Sequence, residues 1–163
     1  MIHSIKKYFR SKKNKYYQDE LIAKLNKEHQ KLFEIVGLID KSIKNRDKRE
    51  IKKHIKNFIK TLELHLLYED SNLYEHLYLR FYYYEESREE IIKKHNQMKE
   101  IAKVVESFIE THQELNDFDT FIEEFKVIKD VLVKRVNFEE EILYELYDGC
   151  YDPELVVKRL KNS

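Results

Sequence analysis

Turn-forming residues are nearly absent from this sequence: its 163 residues include two glycines and one proline. A chain with so little punctuation folds back rarely. Its charged residues (38%), set among Leu and Ile, therefore belong on a few long helices. The lone Cys150 excludes an internal disulfide, fits a reducing cytoplasm, and has no basic neighbour in sequence to activate it. No apolar run approaches the length of a membrane span. The N-terminus carries basic residues without the apolar core of an export signal, so a cytoplasmic location is expected. Net charge is also absent, at 31 basic against 31 acidic residues, but the charge is unevenly placed. Residues 1–16 hold Lys6, Lys7, Arg10, Lys12, Lys13 and Lys15 and no acid, leaving 25 basic against 31 acidic residues in the remainder. An acidic body argues against nucleic-acid binding. The first 16 residues read as a solvated basic tail. Ile2, Ile5, Tyr8 and Phe9 offer the alternative of a short amphipathic helix on an anionic membrane surface.

The most informative stretch is 51–69, IKKHIKNFIKTLELHLLYE. As a helix it places Ile51, Ile55, Phe58 and Leu62 on one seam by alternating steps of four and three. The next two positions on that seam are His65 and Glu69. A histidine and a carboxylate four apart on an apolar stripe are costly to bury unless something satisfies them.

Other segments repeat the pattern. The first helix is expected from about residue 18 to residue 43, with His29 among Ile22, Leu25, Leu32, Val36 and Ile39. Asn45, Arg46 and Asp47 make a turn, and Asp47 with Glu50 caps the second helix. The third helix is expected to start at Ser87, with Glu90 completing a capping box, and its seam carries His95. After a turn at 116–120, the fourth presents Phe121, Phe125, Ile128, Leu132, Arg135, Glu139 and Ile142, with Gly149 as its C-cap. Pro153 opens a short final helix, 154–161, covering one end. The expected fold is all-α: an antiparallel up-down-up-down four-helix bundle over 17–148, followed by a C-terminal helix and tail over 149–163. Counting residues from each turn puts His29, His65, Glu69, His95, Arg135 and Glu139 at one level of the core. That count requires the second helix to stop or bend near His76 and makes the Tyr-rich stretch 77–86 a connection. His54 and His76 fall outside the layer, and of the run 139–141 only Glu139 points inward. The cluster Tyr78, Phe81, Tyr82, Tyr83 and Tyr84 reads as packing and connection rather than a gate or partner surface.

Two weak internal matches relate the halves of the chain. His65-Leu-Leu-Tyr-Glu69-Asp-Ser-Asn-Leu73-Tyr74 aligns with Arg135-Val-Asn-Phe-Glu139-Glu-Glu-Ile-Leu143-Tyr144. Lys27-Glu28-His29 aligns with Lys93-Lys94-His95. A pseudo-twofold axis through the core follows, and it pairs His29 with His95, His65 with Arg135 and Glu69 with Glu139. The repeat calls for histidine at 135 and finds arginine.

Imidazoles and carboxylates converging in a bundle core suit a transition metal. Iron is favoured, with manganese or zinc as alternatives. Two glutamates from opposite helices can bridge a pair of ions, while neutral imidazoles need acceptors for their second N–H. The ferritin-like arrangement is disfavoured, because no histidine has a glutamate three residues before it.

Over about residues 18–148 the chain resembles the hemerythrin-like (HHE cation-binding) domain. The likeness rests on Glu28-His29, on His65 with Glu69 followed by Leu73-Tyr74, on His95, and on Glu139-Glu140 with Leu143-Tyr144. It implies a non-haem di-iron centre with His29, His65 and His95 as terminal ligands and Glu69 and Glu139 as bridging carboxylates. It also implies the family's roles in O2 binding, O2, NO or redox sensing, iron sensing and iron–sulfur repair. Two departures stand out. Arg135 replaces a histidine, and a guanidinium is not a ligand. Lys99 stands where the oxygen-carrying branch has a second histidine on the third helix, which argues against oxygen carriage. Arg135 leaves three arrangements open: a dinuclear site completed by water, a mononuclear site, or a metal-free ion cluster of Arg135, Glu69 and Glu139. The corresponding functions are an iron-binding sensor or handling protein that signals through a protein partner, and a metal-free helical interaction module. A hydrolytic or oxygenase enzyme lacks any substrate-binding motif here.

Overall fold

The computed structural model describes residues 12–149 and 152–163. Cys150 and most of the expected basic tail lie outside these. The described residues form helices and no strands. Helix α1 (Lys12–Lys44) is followed by α2 (Lys48–Glu69), a π-helical turn π1 (Asp70–Tyr74) and α3 (Glu75–Arg80). Next come α4 (Glu85–Thr111), α5 (Phe118–Phe138), a second π-helical turn π2 (Glu139–Leu143), α6 (Tyr144–Asp148) and α7 (Pro153–Lys161). Since α2, π1 and α3 form one rod, and α5, π2 and α6 another, the body is a four-rod bundle with α7 added.

The apolar core shows why the rods alternate in direction. One cluster joins the end of α1 (Leu32, Val36, Ile39), the start of α2 (Ile51, Phe58), the end of α4 (Val105, Phe108) and the start of α5 (Phe121, Phe125). A second joins Leu21 and Leu25, Leu73 and Leu77, Ile91, Leu143 and Leu146, closed by Val156 and Leu160 of α7. Each rod thus runs from one cluster to the other, opposite to its predecessor. The short final helix covers one end, as the sequence implied.

Asp47 caps α2 by accepting from the Arg49 and Glu50 amides, both at 3.1 Å. Asp117 caps α5 through the Thr120 amide at 3.0 Å, and Asp152 with Pro153 opens α7. Scarce glycine has a visible consequence at the turns. Arg46 (φ 52°) and Leu115 (φ 50°) take the left-handed conformation that glycine adopts without steric cost. Gly149 ends α6 in an extended conformation (φ −93°, ψ 156°) instead.

Three expectations need correction. The first helix starts at Lys12 rather than near residue 18, because nothing between them breaks a helix. Helix α4 starts at Glu85, which puts Ser87 inside the first turn. Its buried hydroxyl donates to the Pro153 carbonyl at 3.0 Å, tying α7 to the bundle instead of capping a helix. The second rod, expected to stop or bend near His76, is interrupted by the π turn just before it and runs on to Arg80. The π turn, closed by the Glu75 amide donating to the Asp70 carbonyl, inserts one residue. That residue rotates the apolar seam, so Leu73, Tyr74, Leu77 and Phe81 all stay buried. The connection shrinks to 81–84, where Tyr82, Tyr83 and Tyr84 are exposed.

Candidate metal centre

Between the two apolar clusters lies a polar layer. His29 and His65 are each 2% exposed, Glu69 and Glu139 are 0% exposed, and Arg135 is 5% exposed. Each follows from helical spacing: His29 sits between Leu25 and Leu32 on α1, and His65 and Glu69 continue the seam of Phe58 and Leu62. Arg135 and Glu139 continue that of Ile128 and Leu132. One π turn begins just after Glu69 and the other at Glu139 itself, one residue apart in the repeat. They seat both Leu73-Tyr74 and Leu143-Tyr144 beneath the layer.

One side of the layer is a ligand cluster. The Nε2 atoms of His29 and His65 face each other at 3.2 Å. Glu139 Oε2 lies 3.0 Å from His29 Nε2 and 4.0 Å from His65 Nε2. These three residues can offer ligand atoms all within 4.8 Å of one another. The outer nitrogens are committed elsewhere: His29 Nδ1 is 2.8 Å from Glu140 Oε1, and His65 Nδ1 is 3.1 Å from Glu28 Oε2. A neutral imidazole has one N–H. With Nδ1–H donated to a carboxylate, both Nε2 lone pairs turn inward, where the Tyr144 hydroxyl also lies 3.3 Å from His29 Nε2. Glu139 Oε2 is buried and receives no hydrogen bond. Two imidazole lone pairs and a carboxylate oxygen thus meet in an apolar interior, which is costly without a cation. The donor set fits a metal ion.

The other side is an ion cluster. Arg135 Nε donates to Glu139 Oε1 at 2.5 Å, Nη2 to Glu69 Oε2 at 3.0 Å, and Nη1 to the Met98 carbonyl at 3.1 Å. Glu139 serves both sides, one oxygen on the guanidinium and the other on the imidazoles. Glu69 Oε1 is buried without a partner. His95 is buried near Arg135 but turned away from the ligand cluster. Its Nε2 pairs with Asp70 Oδ1 at 2.7 Å, its Nδ1 meets the Tyr78 hydroxyl, and its ring stacks on Tyr74 at 3.7 Å.

Electrostatics follow this division. Burial pulls His29 downward, but Glu139 and Glu140 together outweigh it and raise its pKa. His65 is lowered, chiefly by burial, with His29 and Arg135 adding to the effect, so it is neutral at pH 7. Burial and then Glu139 push Glu69 well up. Glu139 is equally buried, yet Arg135 and His29 hold it below the usual carboxylate range.

Several contributors were missed in sequence. Glu140 is not a solvated bystander, because it reaches across to His29 while Glu28, beside His29 in sequence, serves His65. Each acid supports the histidine of another helix. Tyr144 stacks on His29 with ring centroids 5.8 Å apart. His54 and His76 lie half-buried outside the layer, as expected. Such outer acceptors orient ligands, so Glu28→Gln or Glu140→Gln should weaken metal affinity by about 10- to 100-fold without unfolding the protein. Competition with a chromophoric chelator, alongside circular dichroism, checks this.

The family model described as the hemerythrin HHE cation-binding domain matches residues 20–147. No curated protein and no solved structure matches the chain.

Proposed function

Because the chain belongs to the hemerythrin HHE cation-binding domain family, we propose that it holds non-haem iron in the polar layer and uses it to sense or handle O2, NO or redox change. His29, His65 and Glu139 would hold the ion, and Glu28 and Glu140 would fix the two imidazoles. The observation that carries this reading is the convergence of the His29 and His65 Nε2 atoms on Glu139 Oε2, all buried and within 4.8 Å of one another. Iron held there supplies one-electron redox chemistry and an affinity for diatomic ligands. The apolar clusters on either side keep bulk water from the layer, and Arg135 keeps Glu139 ionised. A signal would leave through helix displacement to a protein partner. Manganese and zinc suit the same donors and are the competing ions.

The test is metal analysis of protein purified from iron-supplemented cells, followed by anaerobic ferrous titration monitored by thermal unfolding. Iron at about 100 times its Kd should stabilise the fold by about 2.7 kcal/mol. Uptake should weaken as pH falls. Ligands bind deprotonated, and the Glu139 and Glu140 carboxylates make His29 hold its proton to higher pH than an ordinary imidazole. No uptake of iron, manganese or zinc, with no thermal shift, would leave a metal-free bundle built on the Arg135 ion cluster.

A further inference from the structure

We infer that the centre is mononuclear, with the Arg135 guanidinium standing where a second ion would otherwise sit. The inference rests on the metal-binding reading above and specifies its nuclearity. Its basis is the internal repeat. The twofold that pairs His29 with His95, His65 with Arg135 and Glu139 with Glu69 maps one half-site onto another. The first half-site is His29, His65 and Glu139. The second is His95, Arg135 and Glu69.

The pseudo-symmetry extends to the supporting residues. Tyr144 stacks on His29, and its counterpart Tyr74 stacks on His95. Glu140 pairs with His29, and its counterpart Asp70 pairs with His95. The halves then part in three respects. Arg135 puts a permanent cation in place of an imidazole lone pair, and it is bonded to Glu69 and Glu139. His95 presents Nε2 to Asp70 and Nδ1 to Tyr78, so both nitrogens are occupied. The acid that supports His65 across the layer, Glu28, has Lys94 as its counterpart, which cannot accept a proton from residue 135. Ligand, ring orientation and outer support have all been lost from the same half.

What remains is two histidines and one carboxylate, the donor set of mononuclear ferrous centres that keep open positions for exogenous ligands. The guanidinium neutralises Glu69 and Glu139 as a second ion would, but it supplies no redox chemistry. Iron here can exchange one electron with its ligand and has no neighbouring ion to supply another. The fitting ligand class is therefore a diatomic or small anion handled by one-electron or redox-neutral chemistry, rather than O2 carried by two-electron reduction across a metal pair.

The test is anaerobic titration of the full chain with ferrous iron, followed by removal of unbound metal, iron quantification and EPR of the air-oxidised protein. One iron per chain with the EPR signal of an isolated ferric ion is expected. Arg135→His combined with Lys94→Glu, which restores both the ligand and its outer acceptor, should raise the stoichiometry toward two. Two irons in the wild type, with an EPR-silent coupled pair, overturn the mononuclear assignment while leaving the metal reading intact. No bound iron overturns both. The double variant, folded but still binding one iron, overturns the role given to Arg135. If that variant does not fold, the wild-type stoichiometry and EPR spectrum decide the matter unaided.

Discussion

Arg135→Met should destabilise the metal-free protein by about 3–5 kcal/mol, the cost of removing one partner from a buried ion pair. Methionine matches the length of the side chain and leaves little cavity, so lost packing is a minor part. The main cost is electrostatic. Glu69 and Glu139 are both fully buried and both rely on the guanidinium, and without it two carboxylates share a layer with no cation. The pH dependence follows from the sign of the shifts. In the wild type, Glu139 is held below the ordinary glutamate value of 4.5, so it contributes stability at neutral pH that is lost as pH falls through its folded pKa. In the variant its main counter-charge is gone, and burial raises it as burial already raises Glu69. A carboxyl with a raised folded pKa favours the native state at low pH and loses that contribution as pH rises. The deficit should therefore be largest near pH 7 and shrink toward pH 4. Urea denaturation at both pH values measures it, and a deficit independent of pH would point to packing instead. Bound metal should offset part of the loss at neutral pH by supplying a different cation.

Glu139→Gln should have the largest effect on metal affinity of any single polar substitution. Its loss should exceed the roughly 10- to 100-fold expected for an outer partner, because this residue is the one carboxylate in the cluster of His29, His65 and Glu139. The amide keeps the shape, but it contributes a neutral oxygen where the site needs an anion. On the other side of the layer, the amide oxygen can still accept from Arg135 Nε, but the counter-charge at 2.5 Å is gone while Glu69 and the Met98 carbonyl remain. Stability should fall by about 1.5–3 kcal/mol, the worth of one hydrogen bond to a charged group. Glu69 should respond in the opposite direction, its pKa falling because a main cause of its elevation has been removed. Chelator competition reads the first effect, urea denaturation the second, and carboxyl NMR titration the third. A variant that binds metal as tightly as the wild type would exclude Glu139 as a ligand.

The two substitutions separate the roles of the layer. On the proposed reading Arg135 would act mainly on stability and nuclearity, and Glu139 on both stability and binding, because its two oxygens face different partners. Such an arrangement is poorly suited to a purely structural core. An ion triplet of Arg135, Glu69 and Glu139 needs no histidines, yet two imidazoles are aimed at the same carboxylate and held there by acids from other helices.

Much of this was legible along the chain. Helical periodicity is local, so the seams of Leu25, His29 and Leu32, or of Leu62, His65 and Glu69, identify the inward residues of each rod without knowledge of the others. Levels along a bundle are set by counting at 1.5 Å per residue from each turn. Turns at 45–47 and near 116 could be placed from Asp47 and Asp117, so the shared layer followed. The repeat exposed the odd residue, Arg135, by showing what its position required.

Counting along a helix is one-dimensional, and what remained hidden is angular. The π turns that begin just after Glu69 and at Glu139 rotate each seam by the insertion of one residue, a change that leaves composition and capping signals untouched. It let the second rod run past His76 to Arg80, whereas the count called only for a stop or a bend near His76. The direction of each imidazole depends on which helix supplies its outer acceptor. Glu28 was visible beside His29 in sequence, but only the packed helices send it to His65 and send Glu140 to His29. His95 shares its seam pattern with His29, yet the positions of Asp70 and Tyr78 in space turn both its nitrogens away from the cluster. Periodicity and turn spacing decide which side chains reach the layer; the relative rotation of the packed rods decides which atoms they present there.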